Sequence, residues 1–275
     1  MSQNPGELAA ERMQALLRTR AYGRSLELHA STDSTNDDAR RAAAAGAPDG
    51  HVVLADAQRA GRGQHGRAWA SPPGTDLYLS IVARPPLSLA ALPPLTLAVG
   101  VAIAEAVELL LADAAAERAQ VKWPNDVWIA GKKCSGVLVE TSSGATVDAG
   151  SGTDAARVAA VIGIGLNVNR MQWPDELHES ATSLRAARPG APALDRGLVL
   201  ATVLLSVEQW VDRLVTGGGR AIAAALEARL ALRGRRVRCG EVEGTLAGVA
   251  PSGAVRIATE AGMRELLAGR IVAMD

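Results

Sequence analysis

Two rhythms of apolar positions alternate along this chain. Leu8, Met13, Leu16 and Leu17 recur at helical spacing among charged residues, predicting a first helix over 7–19. A short strand over 26–29 follows. The run Ser31-Thr32-Asp33-Ser34-Thr35-Asn36 is dense in helix-capping side chains and precedes an Ala/Arg-rich helix over 37–45. Apolar runs bounded by turn residues predict strands over 52–57 and 76–83. The most apolar stretch, 95–111, follows Pro93-Pro94 and carries Glu105 and Glu108, so a helix over 96–118 reads as buried rather than membrane-spanning. Strands over 127–130 and 136–141 flank Gly131-Lys132 as a hairpin. A polar loop over 142–156 leads to a strand over 158–164.

Two helices, 195–215 and 220–232, are separated by Gly217-Gly218-Gly219. Beyond Gly234 the texture changes to short strands over 237–239, 244–249, 254–258, 263–267 and 271–274. Such a run of strands with few helix signals predicts a small barrel. Strands and helices intermix without strict alternation before it, so the fold class is α+β with a mixed sheet. The expected division is a helical extension over 1–25, a main domain over 26–232 and the barrel over 233–275.

Composition narrows this picture. At 275 residues the chain can bury one sizeable core and a small second one. Its 29 basic and 29 acidic side chains cancel, so bulk charge does not draw it to polyanions. Cys134 and Cys239 show neither a disulfide framework nor metal-ligand spacing. Residues 7–19 lack the unbroken apolar stretch of an export signal. The expectation is a soluble, cytoplasmic protein with no membrane partner.

Candidate chemistry concentrates in a few segments. Gly61-Arg62-Gly63-Gln64-His65-Gly66-Arg67-Ala68-Trp69 is too basic and too glycine-rich for a core. Glycines let backbone N–H groups approach a ligand, and guanidinium groups suit phosphate or carboxylate. The order of residues is not that of a Walker loop. Alone, the segment reads equally as a mobile basic surface loop. In Lys122-Trp123-Pro124-Asn125-Asp126 the proline and turn formers predict a connection between strands that sets Lys122 close to Asp126. This pairs a cation for phosphate with a carboxylate for Mg²⁺ or an amine. A hairpin at Gly131-Lys132 would return Lys133 to the same edge. Gly163 and Gly165 leave one strand face without side chains, for a ligand or another element. The four histidines show no metal spacing.

In order and content these segments resemble the biotin–protein ligases, also called biotin–acetyl-CoA-carboxylase ligases. The resemblance rests on Ser34-Thr35-Asn36, Gln58 to Trp69, Lys122 to Asp126, Lys133-Cys134-Ser135-Gly136-Val137-Leu138-Val139-Glu140, and Gly163 to Asn167, and it spans 30–275. It implies a catalytic domain like that of class II aminoacyl-tRNA synthetases plus a C-terminal SH3-like barrel. The implied reaction joins biotin to ATP, with Mg²⁺, as biotinyl-5′-AMP. The acyl group then passes to a lysine of a biotin carboxyl carrier domain in a biotin-dependent carboxylase.

By the same resemblance Ser34, Thr35, Asn36 and Gln58 would hold biotin's ring, with Gly136, Leu138, Gly163 and Gly165 lining its pocket. Arg62, with Gly61, Gly63 and Gly66, would close over the adenylate. Arg67 would touch phosphate, Trp69 would cover the ligand, and Asn125 and Asn167 would serve the nucleotide. Lys133 would contact both biotin's carboxylate and the α-phosphate. Lys122 and Asp126 would share the polyphosphate, metal and incoming amine, the metal being held mainly by phosphates. Trp173, in the segment after Asn169, would stack on adenine.

Two departures carry consequences. Gln64 stands where the family often has arginine, which implies weaker retention of the adenylate. About 25 residues precede the catalytic domain, too few for the winged helix-turn-helix of bifunctional members, so the expectation is a monofunctional ligase with no DNA partner. A homodimer is compatible with the sequence but not required by it. The rival on the same fold is a lipoate ligase or an octanoyl transferase acting through Cys134. A rival of another class is an RNA-binding adaptor, disfavoured by neutral charge and few aromatics.

Overall fold

The computed structural model describes residues 8–88, 91–111, 118–147 and 157–274, the side chains of 142–147 and 157–158 excepted. Strand β1 (Leu26–His29) runs parallel to β2 (His51–Ala55). Antiparallel pairings then add β3 (Leu77–Ala83), β7 (Arg157–Leu166), β6 (Lys132–Val147), β5 (Asp126–Ile129) and β4 (Gln120–Lys122), in that spatial order. The result is the mixed sheet that the pattern predicts.

The period-two alternation of strand side chains decides what each face does. Val52, Leu54, Leu79, Ile81, Ile162 and Ile164 point into the main core. There they meet α3 (Leu92–Leu110) and α4 (Arg196–Leu226). The other face carries Val53, Val82 and Val161, covered by Ala39 and Ala43 of α2 (Thr35–Ala44). Helix α2 covers only part of that face. Past its N-terminus, Ser80, Gly136, Gly163 and Gly165 continue the same face, and the site lies there.

Helix α3 is long and apolar enough to cross a membrane, but 67% of its most apolar window is buried inside the fold. It is a core helix. It starts earlier than expected because Pro93 and Pro94 sit in its first turn, where backbone N–H groups have no intrahelical acceptor. The far end of the expected helix, 112–117, and most of the expected polar loop, 148–156, lie outside the described residues. The N-terminal helix α1 (Ala10–Leu16) belongs to the main core through Met13, and Leu17 and Tyr22 follow it there. Glu208 of α4 fixes this segment by accepting from the backbone N–H groups of Arg20, Ala21 and Tyr22.

The expected break between two helices is present, since α4 turns at Gly218, whose φ of 62° suits glycine. Its second part ends at Leu226, short of the expected 232. The chain then joins the sheet edge. Val121 N–H donates to Arg229 O, and Ala231 N–H donates to Val121 O. Strand β4 had no signal of its own, because a three-residue strand is too short to show a period.

The C-terminal strands are β8 (Arg236–Cys239), β9 (Val242–Val249), β10 (Val255–Thr259), β11 (Gly262–Leu266) and β12 (Ile271–Ala273). They form the small antiparallel unit that the sequence predicts, ordered β11-β10-β9-β8-β12. Its 251–253 turn packs against the main body. Trp123 Nε1 donates to Gly253 O at 2.9 Å, and a side chain at Gly253 would strike Pro93. Gly269 and Arg270, in the loop before the last strand of this unit, border the site.

Candidate active site

The floor is built from glycines in register. Gly136 pairs with Gly165 and Leu138 with Gly163 across β6 and β7, while Ser80 pairs with Gly163 from β3. Of the two alternatives for the bare face, the structure shows the packing of other elements. Asn36 packs over Gly163, and the Trp69 indole packs over Gly165 and Gly136. A Cβ at Gly163 would land on the Asn36 amide, and one at Gly165 on the indole.

Helix α2 presents its N-terminal residues beside this floor. Asn36 Nδ2 donates to Glu140 Oε2 at 2.7 Å, and Ser80 Oγ donates to Asn36 Oδ1 at 2.6 Å. Gln58 links the helix to the glycine–arginine loop. Its Oε1 accepts from Thr35 N–H at 2.9 Å, and its Nε2 donates to Ser71 Oγ at 3.0 Å.

The loop itself is a small hairpin. Gly63 N–H donates to Arg67 O and Trp69 N–H to Gly61 O, with Arg62 opposite Ala68. Gly61 is buried behind it, and a Cβ there would lie 2.7 Å from Trp69 O. Arg62 Nη2 donates to Asp37 Oδ1 at 2.7 Å and lies 3.6 Å from Glu140 Oε2. Arg67 makes no ion pair among the described residues.

The strand connection at Trp123-Pro124-Asn125 sets Lys122 close to Asp126, as expected. Lys122 and Asp126 are register partners, but the Asp126 carboxylate pairs with Lys133, Nζ to Oδ1 at 2.6 Å. The Lys122 ammonium stands over the Trp128 ring, 4.7 Å from its centroid. Burial pushes the Lys122 ammonium below the usual lysine range. Arg270, Lys133 and Arg67 add to that shift, and Asp126 opposes it. Lys133 Nζ also lies 5.0 Å from the Trp69 centroid.

Two cavities open around these groups. A narrow cleft of about 50 Å³ is lined by Ser34, Thr35, Asn36, Gln58, Arg62, Gly136, Leu138, Gly163 and Gly165. A larger cavity of about 440 Å³ is lined by Arg67, Lys122, Asp126, Asn167, Arg170, Trp173 and Arg270. Gly63, Trp69, Asn125 and Lys133 wall both, so the two are halves of one site. Gly66 lines a third groove with Pro93 and Gly269, which Gly63 and Gln64 join to both the cleft and the larger cavity. The cleft volume is about that of one or two water molecules. Trp69 fills the rest, and its buried Nε1 has no hydrogen-bond partner among the described residues.

Asn125 and Asn167 also serve the framework. Their amides donate to Val137 O and Thr182 O. Ser80, Asp37, Arg170 and Arg270 are site residues the sequence did not single out, and no local signal marks any of the four. Glu140 lies in a segment that carries the resemblance, which gave it no role. Cys134 stands apart. It is fully buried on the core side of β6, with burial pushing its thiol up to about 12. No group of three or more His, Cys, Asp or Glu able to hold a metal occurs among the described residues.

Comparison with known proteins agrees with this geometry. The model of the biotin/lipoate A/B protein ligase family matches residues 28–152. The bifunctional ligase/repressor BirA of Bacillus subtilis is 33% identical over 274 residues, covering 97% of this chain and 79% of that protein. A biotin–[acetyl-CoA-carboxylase] ligase of Mycobacterium tuberculosis is 37% identical over 217 residues, 78% of this chain and 74% of that one. The biotin protein ligase of Aquifex aeolicus, solved with biotin and ATP, matches with a TM-score of 0.76 and 29% identity over 90% of this chain and 97% of that one. Matches of this extent make the chain a member of the biotin/lipoate A/B protein ligase family, among its biotin protein ligases.

Proposed function

We propose that the chain activates biotin with ATP and transfers it to a lysine of a biotin carboxyl carrier domain, as a cytoplasmic enzyme. The observation carrying this reading is one ammonium, Lys133, in the wall shared by a glycine-floored cleft and a cationic cavity. Biotin takes the cleft and ATP the cavity. Trp69 lifts from Gly165 to admit the ring and then covers it, its Nε1 meeting an acceptor on the ligand.

The first step joins a carboxylate oxygen to the α-phosphorus and expels pyrophosphate. Both reactants are anions, so donors fixed between them lower the barrier most. Lys133 holds that position, with Arg62 and Arg67 closing from the loop. Lys122 and Arg270 take the outer phosphates. A Mg²⁺ ion, held by the phosphates and by Asp126, would spread their charge. In the second step the carrier's amine attacks the acyl carbon, AMP leaves, and the amine gives up its proton. Asp126, 2.6 Å from Lys133, stands where it can orient that amine. The glycine–arginine loop, acting as a flap, keeps water from the mixed anhydride meanwhile.

The boundary near 233 separates the unit supplying Arg270 from the one supplying every other group. Burial of Cys134 argues against the acyl-cysteine route of an octanoyl transferase, and a thiol titrating near 12 is not a thiolate nucleophile at neutral pH. The test offers a biotin carboxyl carrier domain with biotin or lipoate and ATP. An adduct of biotin mass on one lysine, undiminished after thiol alkylation, is expected. Preference for lipoate, or inactivation by alkylation, would overturn the reading.

A further inference from the structure

Behind the site lies a buried charge cluster for which the two steps above have no use. Asp76, at the start of β3, is fully buried. It accepts from Val168 N–H at 2.9 Å, from Arg170 Nε at 2.7 Å and from the Tyr78 hydroxyl at 3.1 Å. A buried carboxylate persists only when paired and hydrogen-bonded, and Arg170, itself only 6% exposed, is its ionic partner. Pairing alone would not require the rest of what this guanidinium does. Its Nη2 also donates to Ala70 O at 2.9 Å, the residue directly after Trp69. Its Cζ lies over the Trp173 ring, 4.8 Å from the centroid, and both side chains line the larger cavity. The Arg170 carbonyl is pinned in turn by Ser183 Oγ at 2.6 Å.

One side chain therefore holds the end of the flap and backs an indole on the nucleotide side. We infer that Arg170 is a positioning residue that gives Trp69 and Trp173 a common anchor. Seating of the ring in the cleft and of the nucleotide in the cavity thereby become one coupled event. The inference rests on the biotin and ATP reading. It needs arginine, because a planar fork can serve Asp76, Ala70 O and an aromatic face together, whereas a lysine ammonium is a single point.

Calorimetry on the full chain would measure biotin affinity with and without saturating α,β-methylene-ATP. The wild type, Arg170→Lys and Trp173→Ala would be compared. The wild type is expected to bind biotin roughly tenfold tighter with the analogue, within the usual range for coupled sites. Both variants are expected to keep the wild-type affinity for biotin alone and to lose most of that coupling. A merely structural role would lower the melting temperature and leave the ratio unchanged. Full coupling in both variants, or no coupling in the wild type, overturns the inference while biotin binding preserves the function. If the wild type binds no biotin, the function falls first. Should Arg170→Lys not fold, Ser183→Ala decides, because it frees the Arg170 carbonyl while leaving both indoles and the Asp76 pair intact; full coupling in that variant overturns the inference.

Discussion

Gly165 shows how much chemistry a missing side chain can carry. Its absent Cβ makes room for the Trp69 indole, and in the proposed reaction for biotin's ring. Gly165→Ala should leave the strand folded and raise the KM for biotin on the order of tenfold or more, since overpacking a fitted contact typically costs 1–3 kcal/mol. Steady-state kinetics at saturating ATP would check it, and an unchanged KM would remove the glycine floor from the site. Lys122 makes a second claim at this scale. Burial and neighbouring cations lower its pKa, so the folded chain loses this proton before the unfolded chain does. Its charge therefore burdens the fold below that pKa, and the burden lifts as pH rises through it. A bound polyanion needs the charged form. ATP affinity should then fall at a lower pH than an ordinary lysine would set. Lys122→Arg should abolish that alkaline limb, and a limb persisting in the variant would assign it to another group.

At the scale of elements, what was legible divides by where the signal resides. Short-range patterns were enough for α2, β2, β3 and the C-terminal strands, because each carries its own periodicity and turn residues. Strand β4 did not announce itself, since its three residues are stabilised by β5 and by 229–231 from far along the chain. Likewise Gly163 and Gly165 marked a bare strand face, but whether Asn36, Trp69 or a ligand covers it depends on residues about 95 to 127 positions away. The hairpin at Gly131-Lys132 did bring Lys133 back to the edge. There it forms an ion pair with Asp126, a contact the sequence did not predict. The loop before β12 adds a cation that no motif predicted. Arg270→Glu should raise the KM for ATP by about three- to tenfold and leave that for biotin near its original value, as expected for an exposed cation near a polyanion. Equal effects on both substrates would mean that the C-terminal unit acts through overall stability instead.

Across the whole molecule, the sheet separates stability from chemistry by face. One face is closed by α3 and α4, and the other is half covered by α2 and otherwise given to the site. Fold class was readable because apolar runs bounded by turn residues mark the central strands, and strands and helices intermix along the chain without strict alternation. The candidate site was readable mainly as residue types in a particular order. The supporting partners Ser80, Glu140 and Arg170 were not, since an isolated serine, glutamate or arginine carries no mark of what it will meet.

The account depends most on Lys133 acting on both reacting anions. The direct measurement is biotin-dependent exchange of pyrophosphate into ATP, comparing wild type with Lys133→Ala. Loss of a charged donor from the reacting centre is predicted to slow exchange on the order of 10²–10³-fold. Exchange at the wild-type rate in Lys133→Ala would contradict the account.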